Sequence, residues 1–213
     1  MRSSYNASPR WYQRCFAWMM AHAAGEYEAA MTARKQALFD GLEGTVLELG
    51  PGAGPNLCYY SPSIQWIGLE PNPFMLPYLQ TSAAQADLNI QVRQQTLEQA
   101  SLPPHSVDVV VSTLVLCSVP NLSATLEIIH RILKPGGRFL FIEHVAAPSG
   151  SLLRTLQSGI RPIWQIIGDG CQLNRDTGPA IKAAGFDQVE YETFDGPVPI
   201  PLVGPHICGT AIK

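Results

Sequence analysis

No two of the five cysteines (Cys15, Cys58, Cys117, Cys171, Cys208) are spaced as C-x-x-C. The odd number and wide separations argue against a disulfide framework and against a zinc site. A reducing, intracellular setting is the simpler expectation. The chain also lacks an uninterrupted apolar run of the roughly 18 residues a transmembrane helix needs. Near its start, Arg10, Gln13 and Arg14 break up the apolar residues, which fits a secretory signal poorly. It lacks any long basic stretch: the formal net charge is −3, so general affinity for nucleic-acid phosphates is not expected. There is no internal repeat and no low-complexity tract. Only 15% of residues are charged and 46% are hydrophobic, enough apolar material for a full core in a chain of 213 residues.

What is present is an alternation of strand and helix patterns. Residues 10–39 read as helical, with Gly25 as a break. TVLELG (45–50) reads as a buried strand, and the dozen residues after it can start a helix. QWIGLE (65–70) is a second strand, followed by a helix opened by prolines. IQVRQ (90–94) is weaker, whereas VDVVVSTLVL (107–116) is strongly β-branched. NLSATLEIIHRIL (121–133) is amphipathic, with Leu126, Ile129 and Leu133 at helical spacing and Asn121 or Ser123 as cap. KPGG (134–137) is a turn and RFLFIEHVA (138–146) a strand. This order predicts a mostly parallel sheet with helices on both faces. Further on, 174–184 resembles a helix, and QVEYETF (188–194) with HICGTAIK (206–213) forms a closing strand pair. No domain boundary is visible, so 1–213 reads as one domain.

The most informative stretch is VLELGPGAGPN (46–56). Glycine loses the most backbone freedom on folding, so three in five residues need a reason. A glycine turn between strand and helix lets backbone N–H groups approach a ligand. A dinucleotide loop is spaced G-x-G-x-x-G; here the spacing is G-x-G-x-G, with Pro55 where the last glycine would stand. Glu48 also places a carboxylate where it would repel phosphate and attract a cation. Glu70, at the end of the second strand, can accept hydrogen bonds from both hydroxyls of a ribose. A ribose, an ammonium and no phosphate describe S-adenosylmethionine; a nucleotide-dependent dehydrogenase is disfavoured.

VLELGPGAG followed by IGLEPNPFML resembles the first two motifs of the class I S-adenosylmethionine-dependent methyltransferases. SVDVVVSTLVLCSVPN and ILKPGGRFLFIEHV are similar to the blocks around that superfamily's fourth and fifth strands. EHVAAP (143–148), PIWQIIGDGCQLNRDT (162–177) and VGPHICGTAIK (203–213) look like the animal microsomal alkyl thiol methyltransferases. The resemblance implies a Rossmann-like fold with a seven-stranded sheet, S-adenosyl-L-methionine as cofactor, and a small apolar acceptor, a thiol first of all. A C- or O-methyltransferase of a quinone or lipid-like ring is the alternative acceptor reading, and a non-catalytic cofactor-binding module the alternative of another class. Those animal enzymes begin with a hydrophobic anchor that MRSSYNASPRWYQRCFAWMM does not match, so a cytoplasmic protein with at most peripheral membrane contact is expected.

By the same resemblance Glu48, Gly50, Gly52 and Gly54 surround the methionine end of the cofactor. Glu70 holds the ribose, Pro71 and Asn72 flank the adenine, Leu97 or Glu98 lies near its amino group, and Thr113 and Leu114 face the sulfonium. Methyl transfer to a thiol needs alignment and a thiolate, so the candidate bases are the titratable groups at the ends of apolar runs: Asp169, His144 and His206. His22, His105 and His130 read as surface residues, and no metal site is recognisable among the histidines. Cys117 and Cys171 fall near the expected pocket but read as small core residues. Residues 1–40 are expected to form a helical lid region and 148–172 an insertion near the acceptor pocket. Arg10, Arg14, Arg154 and Arg161 beside Trp and Leu also suit a membrane surface.

Overall fold

The computed structural model describes residues 11–213; Arg10 and the remainder of the first ten residues lie outside them. Two helices open the described chain, α1 (Trp11–Ala23) and α2 (Gly25–Phe39). Strands and helices then alternate: β1 (Thr45–Leu49), β2 (Gln65–Leu69), α3 (Leu76–Ala86), β3 (Ile90–Arg93), β4 (Val107–Thr113), α4 (Leu122–Ile132), β5 (Leu133–His144). The last third holds α5 (Leu152–Ile167), α6 (Thr177–Lys182), β6 (Gln188–Asp195) and β7 (Pro205–Ile212). All seven strands join one sheet in the order β3-β2-β1-β4-β5-β7-β6. The pairs from β3 to β5 are parallel, and β7 runs antiparallel to both β5 and β6. The mostly parallel α/β sheet expected from the alternation is therefore present.

Strand side chains alternate between faces, and two cores follow from that. Val46, Val109, Val111 and Leu140 pack under Phe39, Leu57 and Leu79. Leu47, Leu49, Val110 and Phe141 pack against Leu126, Ile129 and Ile181 on the other face. Glu48 shares the face of Val46, so its carboxylate is buried in a largely apolar layer.

Three local differences from the sequence reading have clear causes. The helix expected after β1 is only one 3-10 turn, Leu57–Tyr59: the chain turns extended at Tyr60, and Pro62, which disfavours helical geometry at Ser61 and has no N–H, prevents continuation. KPGG does not separate α4 from its strand: β5 begins at Leu133, and the glycines loop out where the register with β4 shifts between Val107 and Val109. The 148–172 segment, expected only as an insertion, holds a continuous 16-residue helix with Pro162 inside it. Its N-terminus is capped by Ser151, whose side chain accepts from the Arg154 N–H.

Candidate functional site

A cavity of about 380 Å³ opens at the C-terminal ends of β1, β2 and β4, where ligands bind in open α/β sheets. The turn after β1 makes its floor. Gly52 has φ +58, and a Cβ there would meet nothing closer than 4.0 Å, so its backbone faces open space with its N–H free to point at an acceptor. That acceptor is Glu70: Gly52 N–H donates to Oε2 at 2.9 Å and Asn72 N–H to Oε1 at 2.8 Å. Gly50 lines the cavity too, and an added Cβ there would sit 2.8 Å from Val115. Gly54, grouped with them in the sequence reading, is absent from the wall. A Cβ on it would strike Leu79 and Leu57, so it is glycine to let the turn pack on α3.

Glu48 lies in the wall as expected. It touches the cavity, but both carboxylate oxygens are already engaged: Asn56 Nδ2 donates to Oε1 at 2.8 Å, and Tyr60 OH and Trp66 Nε1 donate to Oε2 at 2.9 and 3.0 Å. Burial raises its pKa. Asn56, which the sequence reading missed, turns its amide nitrogen to Glu48 and to Thr113 Oγ1, leaving Oδ1 buried without a hydrogen-bond partner among the described residues. Asn56 lines the cavity, and an unmet buried acceptor there is costly until a donor arrives. The signal available in sequence was its place seven residues after Leu49, at the end of the glycine turn.

Glu70 is buried, and desolvation lifts its pKa to about 7, with the Asp169 charge adding to the effect. Pro71, Asn72, Leu97 and Glu98 complete this end of the wall. Leu97 lies in a 3-10 turn closed by a Thr96–Gln99 capping box, and Glu98 accepts from Thr125 Oγ1 at 2.8 Å.

The opposite wall comes from the loop after β4 and from helices. Leu114 has φ +58, a strained conformation for a leucine. Glu143, fully buried on β5, holds that loop: it accepts from Ser112 Oγ at 2.6 Å and from the N–H groups of Val115 and Leu116. Thr113 and Leu114 line the cavity as expected. The lid region supplies Phe16, Met20, Ala21 and Glu28, whereas the 148–172 segment reaches the wall only through Gly168 and Asp169. Asn72 Nδ2 donates to the Gln13 carbonyl at 3.2 Å, and the Gln13 side chain hydrogen-bonds Asp169, so α1 is tied to both rims of the mouth.

Of the three proposed bases, Asp169 lines the cavity, and burial raises its pKa. His144 and His206 do not line it. His206 hydrogen-bonds the Gly204 carbonyl and packs against Tyr27 and Phe194. His144 turns Nε2 to Cys171 Sγ at 2.8 Å, beneath the wall. His22 and His105 are exposed, and His130 is half-buried against Phe186.

Residues 47–141 match the methyltransferase domain family. The thiol S-methyltransferase TMT1B of Rattus norvegicus is 37% identical over 93% of this chain and 86% of its own length. The thiol S-methyltransferase TMT1A of Homo sapiens is 33% identical over 94% and 87%. A SAM-dependent methyltransferase of Thermotoga maritima superposes with a TM-score of 0.67 at 18% identity, over 95% of this chain and 98% of that one. The chain belongs to this methyltransferase family.

The methyl donor of the family is S-adenosylmethionine, and the residues of the cavity fit it. Glu70 offers both oxygens to a pair of hydroxyls, the Gly50–Gly52 turn leaves backbone within reach of a ligand, and the unmet Oδ1 of Asn56 supplies the acceptor an ammonium needs. Glu48 positions Asn56, and Asn56 lines the cavity beside it.

Proposed function

We propose that this methyltransferase acts on the sulfur of a small apolar thiol. The observation that carries the proposal is the composition of the wall beyond the cofactor residues: Phe16, Met20, Val115, Val119 and Pro120 are apolar, and Glu28 and Asp169 are the titratable groups there, of which burial raises the pKa of Asp169. The likeness to two thiol S-methyltransferases supports the same acceptor class. S-adenosylmethionine supplies an electrophilic methyl on a sulfonium sulfur, so the chain has little chemistry to add beyond alignment. Glu70 and Asn56 hold the donor end, the Leu114 loop sets the opposite wall, and Asp169 takes the thiol proton on a carboxylate oxygen. Burial raises the basicity of Asp169 toward what a thiol requires.

The acceptor enters from a lipid surface in this account, with the protein on the cytoplasmic face of a membrane. No helix among the described residues is long and apolar enough to cross a membrane. Leu152, Leu156, Ile160, Ile163 and Ile167 instead form one stripe along α5, with Ile163 64% and Ile167 60% exposed. Trp11 and Trp18 are exposed on α1, which also carries the exposed Arg14, and Arg161 is exposed on α5. An amphipathic helix with aromatic and basic neighbours suits the interface.

The test offers labelled S-adenosylmethionine with a panel of alkyl thiols and a panel of quinone precursors. Transfer to thiols supports the proposal. Transfer to ring carbon or oxygen alone replaces it with the ring-methylating reading, and cofactor binding with no transfer to either panel supports a non-catalytic module.

A further inference from the structure

Three residues that methyl transfer leaves unused converge behind the cavity wall. Cys117 follows β4 in the Leu114 loop, His144 ends β5, and Cys171 follows α5. Their donor atoms all lie within 4.8 Å of one another, and the residues are only 2%, 4% and 7% exposed. We propose that Cys117, His144 and Cys171 form a binding site for one thiophilic closed-shell cation, Zn²⁺ or Cu⁺, held by two thiolates and an imidazole nitrogen.

The ligand set is the argument. Thiolate and imidazole together select zinc and copper(I) over hard cations, which prefer oxygen. The scaffold is rigid: His144 stands on a strand paired on both sides, opposite His206 of β7. The Cys117 loop is clamped by Arg175, which donates to the carbonyls of Leu116 and Val119 at 2.6 and 2.7 Å. Gln172 N–H donates to the Cys117 carbonyl at 2.9 Å, which ties the two cysteine segments together. Trp164 Nε1 donates to Cys171 Sγ at 3.3 Å, an outer contact that favours thiolate.

His144 Nε2 and Cys171 Sγ stand 2.8 Å apart. Bond lengths of about 2.3 Å to sulfur and about 2.0 Å to nitrogen put co-ligands roughly 3.5 Å apart. Binding therefore opens that contact by less than about 1 Å, within the reach of side-chain rotation. Three protein ligands suit a three-coordinate Cu⁺ as they stand, and for Zn²⁺ they leave one position open. Nothing in the sequence spacing pointed here, because the three residues meet only through the sheet topology.

The test is metal loading of the full chain after chelator treatment under reductant. Zn²⁺ and Cu⁺ are titrated separately against a chromophoric competitor, and Co²⁺ serves as a spectroscopic probe. The expected result is one tightly held Zn²⁺ or Cu⁺ per chain, and a thiolate-to-cobalt charge-transfer band. Cys117→Ser, Cys171→Ser and His144→Ala should each weaken binding at least tenfold, whereas Cys58→Ser should not. Retained affinity for S-adenosylhomocysteine reports that each variant is folded. Wild-type protein with no charge-transfer band, or stoichiometric binding that survives Cys117→Ser/Cys171→Ser, overturns the proposal, and the wild-type cobalt spectrum decides even where a variant does not fold.

Discussion

The strand side of the cavity, from Glu48 to Glu70, and its helical side, from Phe16 to Asp169, differ in how far their polar groups are committed before any ligand arrives. On the strand side nearly every polar atom is placed by another: Glu48 by three donors, Asn56 by Glu48 and Thr113, Glu70 by two backbone N–H groups. What remains open, chiefly Asn56 Oδ1, is therefore available to a donor in the cavity. The helical side is largely apolar apart from Glu28 and Asp169, is tied to the strands through Gln13, Asn72 and Asp169, and carries exposed leucine and isoleucine along α5. A fixed donor site recognises one cofactor; an apolar wall selects an acceptor by size and partition.

Asp169→Asn should break the helical side alone. Turnover with an alkyl thiol near neutral pH is expected to fall by roughly 10²-fold, the lower range for a general base. Binding of S-adenosylhomocysteine, measured by calorimetry, should stay within a few-fold. An equal fall in both would make Asp169 part of the donor site and erase the distinction between the two sides.

Glu70→Gln tests the strand side, with an expected loss of roughly 10- to 100-fold in S-adenosylhomocysteine affinity, the worth of a charged hydrogen-bond acceptor. A pH series sharpens it. The folded-state pKa of Glu70, about 7, lies above the unfolded value of 4.5. The ligand-free fold therefore holds more protons than the unfolded chain between those values, and Glu70 makes it lose stability as pH rises from about 4.5 to 7. The ribose hydroxyls reward the ionised carboxylate instead. Affinity for S-adenosylhomocysteine should climb several-fold from pH 5.5 to 7.5 and then level off, while Glu70→Gln remains weak throughout. A flat wild-type profile would contradict the assignment.

Asn56→Ala should cost about tenfold in S-adenosylhomocysteine affinity and leave 5′-methylthioadenosine, which has no ammonium, nearly unaffected. Equal losses for both ligands would mean that Asn56 only supports the turn. The smallest effect on transfer belongs to Ile160→Glu/Ile163→Glu on α5. Exposed positions of this kind change stability by within about 0.5 kcal/mol, so turnover of a water-soluble thiol should persist while cosedimentation with anionic lipid vesicles is lost. Vesicle binding that survives the double substitution would remove the lipid surface from the account.

The same contrast explains what could be read from the amino-acid order. β1, β2 and β4 were legible because strands buried on both faces read as short β-branched runs, and the glycine turn with Glu70 identified the ligand class. Asn56 was not legible, since its importance lies in which of its two amide atoms is left unpaired. Glu48 was legible as a wall residue beside the glycines, but not that Tyr60 and Trp66, 12 and 18 residues away, claim its carboxylate. α5 was not legible as one helix because Pro162 and Gly159 suggest interruption, yet the leucines and isoleucines that make it amphipathic run from Leu152 to Ile167 across both. The meeting of Cys117, His144 and Cys171 depends on strand order, which no local spacing reports.

Single-turnover transfer from labelled S-adenosylmethionine to an alkyl thiol, followed from pH 6 to 9 in wild type and Asp169→Asn, tests the central claim most directly. The account predicts a labelled thioether in stoichiometric yield from the wild type, with a rate that Asp169→Asn lowers most at the acid end, where the thiol is least ionised. No labelled thioether at any pH, with the cofactor bound, would contradict it.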